Sequence, residues 1–236
     1  MNSGETLAPK QEAVLRHIAR YGLSFTEVVE HICFGGRSAR KTIQALCNDD
    51  TPLASKVGGF KGRRQALVLT EAGSRSIAGN AYRSQQPSHQ RINLFAFCCL
   101  AGKRRIRLEP EEIKQFFGSP LPGRHLVMQC SGDYCLHSVC LPGASTKDAT
   151  ILEKIESRLG ELIECDDSAW TPRPEDWLAA GRLRVTAIVE TRQKAQRLNK
   201  ALRNRLRNYD HPAVGYCSVA AARSNQLEEL LGELRP

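Results

Sequence analysis

From Pro9 to Tyr21 the sequence PKQEAVLRHIARY sets Val14, Leu15, Ile18 and Ala19 on one face of a 3.6-residue period, which predicts an amphipathic helix. Gly22 is placed to end it. Ser24, with Glu27 three residues on, has the form of a capping box, so a second helix is expected through FTEVVEHIC. Gly35-Gly36 breaks that pattern. A third helix, SARKTIQALC, starts at Ser38 or Arg37, turns Ala39, Ile43, Leu46 and Cys47 inward, and stops at Asn48-Asp49-Asp50. Leu53–Val57 and Gln65–Thr70 then read as two short strands on either side of the loop GGFKGRR. Thr70 or Glu71 opens a last short helix.

Three helices followed by a two-stranded ribbon with a basic, glycine-rich tip is the order of a winged helix-turn-helix, an α+β arrangement expected to fill residues 1–81. Residues 82–91 (YRSQQPSHQR) are polar and aperiodic, and read as a linker. Residues 92–236 have a different rhythm. Ile92–Leu100 is an apolar helix, Arg104–Leu108 a short strand, and Pro110–Phe117 a helix with an acidic first turn. Arg124–Cys130 and Cys135–Leu141 flank Ser131-Gly132-Asp133-Tyr134, a hairpin turn. Ser145 with Asp148 opens a helix over Thr150–Glu164, striped by Ile151, Ile155, Leu159 and Leu162. Strand Arg184–Val189, helix Thr191–Asn208, strand Val214–Val219 and helix Ser224–Leu234 close the chain. That alternation implies a small α/β domain with parallel pairing and a right-handed crossover.

Charge changes the picture more than composition does. Apolar residues make up 41% and charged residues 25%, as in ordinary globular domains. The longest apolar run, Leu94–Ala101, cannot span a bilayer, so no membrane association is expected. Met1–Lys10 lacks the pattern of a signal peptide, which gives a cytoplasmic expectation. Nine cysteines, an odd number, then point to reduced thiols rather than a disulfide framework. Cys33, Cys47, Cys98, Cys99 and Cys217 have apolar neighbours and act as small hydrophobes. The net charge is +9, with +5 in residues 1–90 and +4 in residues 91–236. Both halves are basic, and a polyanion is the natural partner.

The third helix supplies the chemistry for reading one. Its outward positions carry Arg37, Ser38, Arg40, Lys41 and Gln44. Arg donates to guanine O6 and N7, and Gln pairs with adenine, in the major groove of double-stranded DNA. Ser38 and the free N–H groups of the first turn suit a phosphate. The alternative is a solvated helix face; helix spacing and wing together weigh against it. In the wing, Lys61, Arg63 and Arg64 sit among three glycines, where a sharp turn brings the cations onto phosphates or into the minor groove. The loop lacks the GxxxxGK[ST] spacing of a nucleotide-binding loop.

FGGRSARKTIQAL and LVLTEAG, and later RVTAIVETRQKAQRLNKAL, resemble the replication-relaxation family of plasmid and mobile-element proteins. The likeness covers about two thirds of the chain. It implies DNA binding linked to plasmid replication, transfer or relaxation. A relaxase or replication protein is then the expected partner, and a homodimer, which two-fold related half-sites would need, is left open by the sequence. It also implies a restriction-endonuclease-like C-terminal fold. An active nuclease of that kind needs an Asp and a following (Asp/Glu)-x-Lys to hold Mg²⁺. The chain departs from this. Asp133 lies in a turn, CLHSVCL has no carboxylate, Glu112-Ile113-Lys114 falls in a helix ahead of the hairpin, and Glu190 lacks a Lys two residues on. The domain is therefore expected to be an inactive scaffold, without catalytic residues or cofactor. The favoured role is an accessory factor at a replication or transfer origin. A transcriptional regulator and a Mg²⁺-dependent nuclease are the alternatives.

Two further groups bear on function. Cys130, Cys135, His137 and Cys140 invite a zinc test, but on a hairpin Cys135 and His137 share a face that Cys140 does not, and core packing is the preferred reading. His125 and His211 are isolated and read as structural. Secondary basic clusters are Lys103, Arg104 and Arg105 with Arg107, and Arg192, Lys194, Arg197, Lys200, Arg203, Arg205 and Arg207 on an acid-free helix. They suit DNA backbone or an acidic partner, or else a solvated face.

Overall fold

The computed structural model describes residues 7–58, 60, 64–78, 87–100, 104–118, 125–130, 134–165, 173–207, 209 and 211–222. The chain divides into two units, the first running through Phe95 and the second beginning at Ala96. Both combine helices with a β-sheet, an α+β arrangement.

In the first unit α1 spans Pro9–Tyr21 and ends on Gly22, whose N–H donates to the Ile18 carbonyl. Val14, Leu15 and Ile18 are buried as the period predicts. Ala19 is exposed, and His17 and Tyr21 face inward in its place. The buried stripe therefore leans toward positions 14, 17, 18 and 21, the i, i+3, i+4, i+7 face. The second helix, α2, spans Thr26–Phe34. Ser24 does not cap it. Its backbone exchanges hydrogen bonds with Leu67, 2.9 and 2.8 Å, forming an isolated antiparallel bridge. Ser24 is thus extended, and a long-range pairing has displaced the local cap.

The third helix, α3, spans Arg40–Asn48, and packs Ala39, Ile43 and Leu46 against Val14, Leu15, Ile18, Val29 and Phe34. The ribbon follows as β1 (Ala54–Val57) and β2 (Ala66–Leu69), antiparallel in register from Ala54 opposite Leu69 to Val57 opposite Ala66. Helix α4 (Glu71–Ala78) begins at Thr70, whose hydroxyl oxygen accepts from the Gly73 N–H and whose proton goes to the Pro52 carbonyl. Helix α5 (His89–Cys99) starts earlier than expected, so the last three residues of the expected linker, 89–91, are helical. Residues 82–86 lie outside the described residues. Phe95 meets Tyr21 edgewise at 6.1 Å and Phe25 at a tilt of 55° at 5.7 Å, in an aromatic cluster.

The second unit is built on five strands: β3 (Arg105–Arg107), β4 (Leu126–Gln129), β5 (Cys135–Cys140), β6 (Leu183–Val189) and β7 (Cys217–Ala221). They lie side by side in sequence order. The β3–β4 and β4–β5 pairs are antiparallel; β5–β6 and β6–β7 are parallel. Between the strands run α6 (Pro110–Phe117), α7 (Asp148–Ile163), α8 (Pro174–Ala179) and α9 (Arg192–Leu206). Helix α7 begins at Asp148 with Lys147, not Ser145, as its N-cap. The expected strand from Val214 is a 3₁₀ turn over Pro212–Tyr216 followed by β7. The expected closing helix Ser224–Leu234 and the turn Ser131–Asp133 lie outside the described residues. One face of the sheet buries Leu126, Leu136, Val185, Ala187 and Val219 against Ile151, Ile155, Leu159, Leu198 and Leu202 of α7 and α9. At the β7 edge Asn199 imitates a further strand, donating to the Val219 carbonyl and accepting its N–H. Among the described residues no helix is long and apolar enough to cross a membrane.

Candidate nucleic-acid interface

The presentation of α3 is set by the turn before it. Gly35 and Gly36 both take positive φ, 59° and 83°, a region that costs a side-chain-bearing residue free energy. They reverse the chain directly after Phe34, and the Gly36 N–H returns to the Glu30 carbonyl at 2.9 Å. The Glu30 carboxylate accepts the Ala39 N–H at 3.1 Å, which pins the start of α3 to α2. Ser38 lies ahead of the helix rather than in its first turn, and its hydroxyl accepts the Arg40 N–H at 3.3 Å. The helix starts at Arg40, not at Ser38 or Arg37.

Arg37, Ser38, Arg40, Lys41 and Gln44 are all exposed, while Ala39, Ile43 and Leu46 are buried. The sequence-based partition matches at these positions, but Arg37 and Ser38 precede the helix and Cys47, expected inward, is half-buried. Arg37 donates to the Phe34 carbonyl from both its backbone N–H and its Nε. Among the described residues, Arg37, Arg40 and Lys41 have no ion-pair partner, so three cations project from one short face.

The ribbon is less uniform. Lys61 and Arg63 lie outside the described residues. Arg64 does not project: its guanidinium sits 2.7 Å from the Glu27 carboxylate on α2, with both side chains largely covered. Glu27 therefore latches the returning strand instead of completing a capping box with Ser24. Phe60, which sequence reading passed over, packs edge-on against Phe25 at 5.1 Å and ties the loop to the core. Lys56, also passed over, is exposed on β1. The alternation along the strand was the signal for it.

Beneath this surface His17 is buried, with Nε2 3.0 Å from the Ser24 hydroxyl. Burial, and then the Arg20 charge, lower its pKa to about 4. The imidazole is neutral near pH 7 and joins α1 to the strand position that holds β2.

The secondary basic cluster is only partly a surface. Lys103 lies outside the described residues. Arg104 is exposed, but Arg105 turns inward, its guanidinium 4.0 Å from the Phe97 ring centre and donating to the Phe97 carbonyl. Burial lowers the pKa of Arg105, although its charge at neutral pH is retained. On α9, Lys194 pairs with Glu190, Arg197 with Asp148 and Arg205 with Glu156. The acid-free sequence of α9 concealed partners from elsewhere in the fold. Arg192, Lys200, Arg203 and Arg207 are exposed and have no ion-pair partner among the described residues.

The thiols and histidines of the second unit go into its core. Cys135 Sγ lies 3.5 Å from His137 Nε2, His137 Nδ1 lies 2.9 Å from Thr186 Oγ1, and Thr186 Oγ1 lies 3.3 Å from Ser218 Oγ. This polar row links β5, β6 and β7. The Phe97 ring meets His137 edge-on at 5.5 Å. Cys140 lies on the opposite face, its thiol directed at the Lys154 carbonyl, and Cys130 reaches the Met128 carbonyl. The four residues of the zinc test do not converge, and among the described residues no group could hold a metal ion. All nine cysteines are free, and burial pushes Cys98 and Cys217 up to about 12, away from thiolate chemistry. His211 caps the 3₁₀ turn by accepting the Ala213 N–H.

The carboxylates considered for nuclease chemistry have other duties. Glu112 accepts the Glu109 N–H at the start of α6, and Glu190 pairs with Lys194. Asp133 lies outside the described residues. Neither β4 nor β5 contains Asp or Glu.

Comparison of the chain with protein-family models, with curated proteins and with solved structures finds no match.

Proposed function

We propose that the protein binds duplex DNA with sequence preference through a winged helix-turn-helix in its first unit, reading the major groove with α3. One observation carries the proposal. Arg37 just ahead of α3, with Arg40, Lys41 and Gln44 on it, are exposed and the three cations meet no acid among the described residues, while the other face of the helix is anchored by Ile43 and Leu46. A rigid helix bearing long donors near its N-terminus is what base reading requires. The Ser24–Leu67 bridge and the Glu27–Arg64 pair support the rest of the reading, because they hold the ribbon to the helices that would present it to DNA.

The second unit, on this reading, is the restriction-endonuclease-like scaffold that the resemblance implies, with no nuclease chemistry. Its mixed sheet is compatible with that scaffold, and β4 and β5 lack the carboxylates that Mg²⁺ needs. The biological setting follows from the resemblance: an accessory factor at a replication or transfer origin of a mobile element, with a relaxase or replication protein as partner.

Protection mapping across the DNA adjoining the gene tests the first step. A discrete protected site is expected. Gln44→Ala or Arg40→Ala then loses about 1–3 kcal/mol at that site and little on random duplex. Equal losses on both duplexes, or no protected site, overturn base reading by α3.

A further inference from the structure

Seven cations on α9 and its C-cap divide into two sets by position around the helix. Lys194, Arg197 and Arg205 lie on the flank that meets Glu190, Asp148 and Glu156, and each is paired. Ala195, Leu198, Leu202 and Leu206 form the buried stripe. Arg192, Lys200, Arg203 and Arg207 occupy what remains, within about 80° of the circumference at 3.6 residues per turn. All four are exposed, and α9 contributes no acid to that face. Among the described residues, one flank is neutralised and the other is not.

The axial spacing of the unpaired set is uneven. Arg192 and Lys200 are separated by roughly 12 Å at 1.5 Å per residue, while Lys200, Arg203 and Arg207 share the next roughly 10 Å. The B-DNA major groove is about 12 Å wide. A single strand offers one row of phosphates and gives no reason for such a gap, whereas a duplex offers two rows with the groove between them.

We propose that Arg192, Lys200, Arg203 and Arg207 form a second duplex-DNA contact, with Arg192 on the phosphates of one strand and the other three on those of the opposite strand across a major groove. The contact is independent of sequence, since Arg and Lys here meet phosphates rather than base edges. It rests on the reading of the protein as a duplex-DNA binder, and adds that the second unit supplies backbone affinity of its own.

Salt titration of the full chain on a random-sequence duplex tests it. Each phosphate contact contributes about 0.9 to the slope of log K against log salt. The combined variant Arg192→Ala, Lys200→Ala, Arg203→Ala is expected to lower the slope by about 2–3. Arg197→Ala, which removes a charge already neutralised by Asp148, is expected to leave the slope unchanged, and Arg203→Lys is expected to retain it. Running the series in an Arg40→Ala, Gln44→Ala background separates the two readings. Loss of site preference there with the stripe effect intact leaves both standing. If the background keeps full site preference, base reading by α3 fails while the stripe stands. An unchanged slope in the combined variant overturns the stripe. So does an equal slope loss from Arg197→Ala, or a loss seen on single-stranded DNA or duplex RNA but not on duplex DNA.

Discussion

The two basic helices of the molecule present their charge in different ways. Helix α3 is short, and Arg37, Arg40 and Lys41 at its start meet no acid among the described residues. Helix α9 is longer and richer in cations, but three of them are held by Glu190, Asp148 and Glu156. Counting Lys and Arg along each segment ranks α9 far above α3. Counting unpaired, same-face cations brings the two nearly level. Net charge on a helix is a property of its sequence; the field it projects is a property of the fold around it. The neutral donor Gln44 adds a second difference. The exposed face of α3 mixes a side-chain amide with its cations near the helix start, whereas the free cations of α9 are divided by one gap of roughly 12 Å between Arg192 and Lys200.

Removing the support of either helix is expected to have the largest effect. Ile43 and Leu198 are buried, at 3% and 0% exposure, and Ile43→Ala or Leu198→Ala should each cost about 2–5 kcal/mol in urea denaturation. If the helices divide the work as argued, the first variant loses site preference under folding conditions and the second loses backbone affinity. A cost below about 1 kcal/mol for either would show that its helix is not anchored through that residue.

The first unit is also expected to be the acid-sensitive one. His17 titrates near 4 when folded, against 6.5 ordinarily, so the unfolded chain takes up the proton first as pH falls. The stabilisation from neutral His17 is complete above about pH 6.5 and fades by about 3 kcal/mol on going down to pH 4. His17→Gln keeps a polar partner for Ser24 and should flatten that part of the stability–pH profile. Superimposable profiles for parent and variant would remove His17 as the cause.

These features differ in how far a sequence can reveal them. The span of α1, the stop at Gly22 and the inward and outward faces of α3 were legible because they depend on near neighbours and a single helical period. Ser24 was not, since its role is a pairing with Leu67, forty-three positions away, and a local capping pattern imitated a better explanation. Periodicity sends Ala19 inward because it weighs only apolarity, whereas His17 is buried there with its ring nitrogen satisfied by Ser24. Helix α8 is not legible in the sequence: six residues starting at Pro174 are too few to show a period. The unpaired face of α9 was hidden for the same reason as Ser24. Asp148 and Glu156 reach Arg197 and Arg205 from positions forty-nine residues earlier.

A smaller effect bears on the ribbon. Arg64 and Glu27 are partly covered, and breaking the pair by Glu27→Gln should cost about 1 kcal/mol or less in stability. Its effect on binding is more informative. If the latch holds the ribbon in its DNA-ready position, Glu27→Gln weakens binding even though it removes a negative charge near DNA. Stronger binding would mean that Arg64 is held back by Glu27 and released on contact.

The smallest expected effect is the sharpest test of charge count against charge placement. Asp148→Asn with Glu156→Gln uncovers Arg197 and Arg205 and raises the net charge by two. Both arginines lie on the flank of α9 that faces the acids of α7, away from the Arg192, Lys200, Arg203 and Arg207 stripe. A duplex seated on the stripe does not reach them. The slope of log K against log salt should therefore stay within experimental error of the parent, with only a modest gain in association rate from the larger overall charge. A slope steeper by about 2 would mean that any exposed arginine on α9 serves equally. In that case the distinction between a placed stripe and a merely positive helix would disappear, and the contrast between α3 and α9 would reduce to the number of cations each carries.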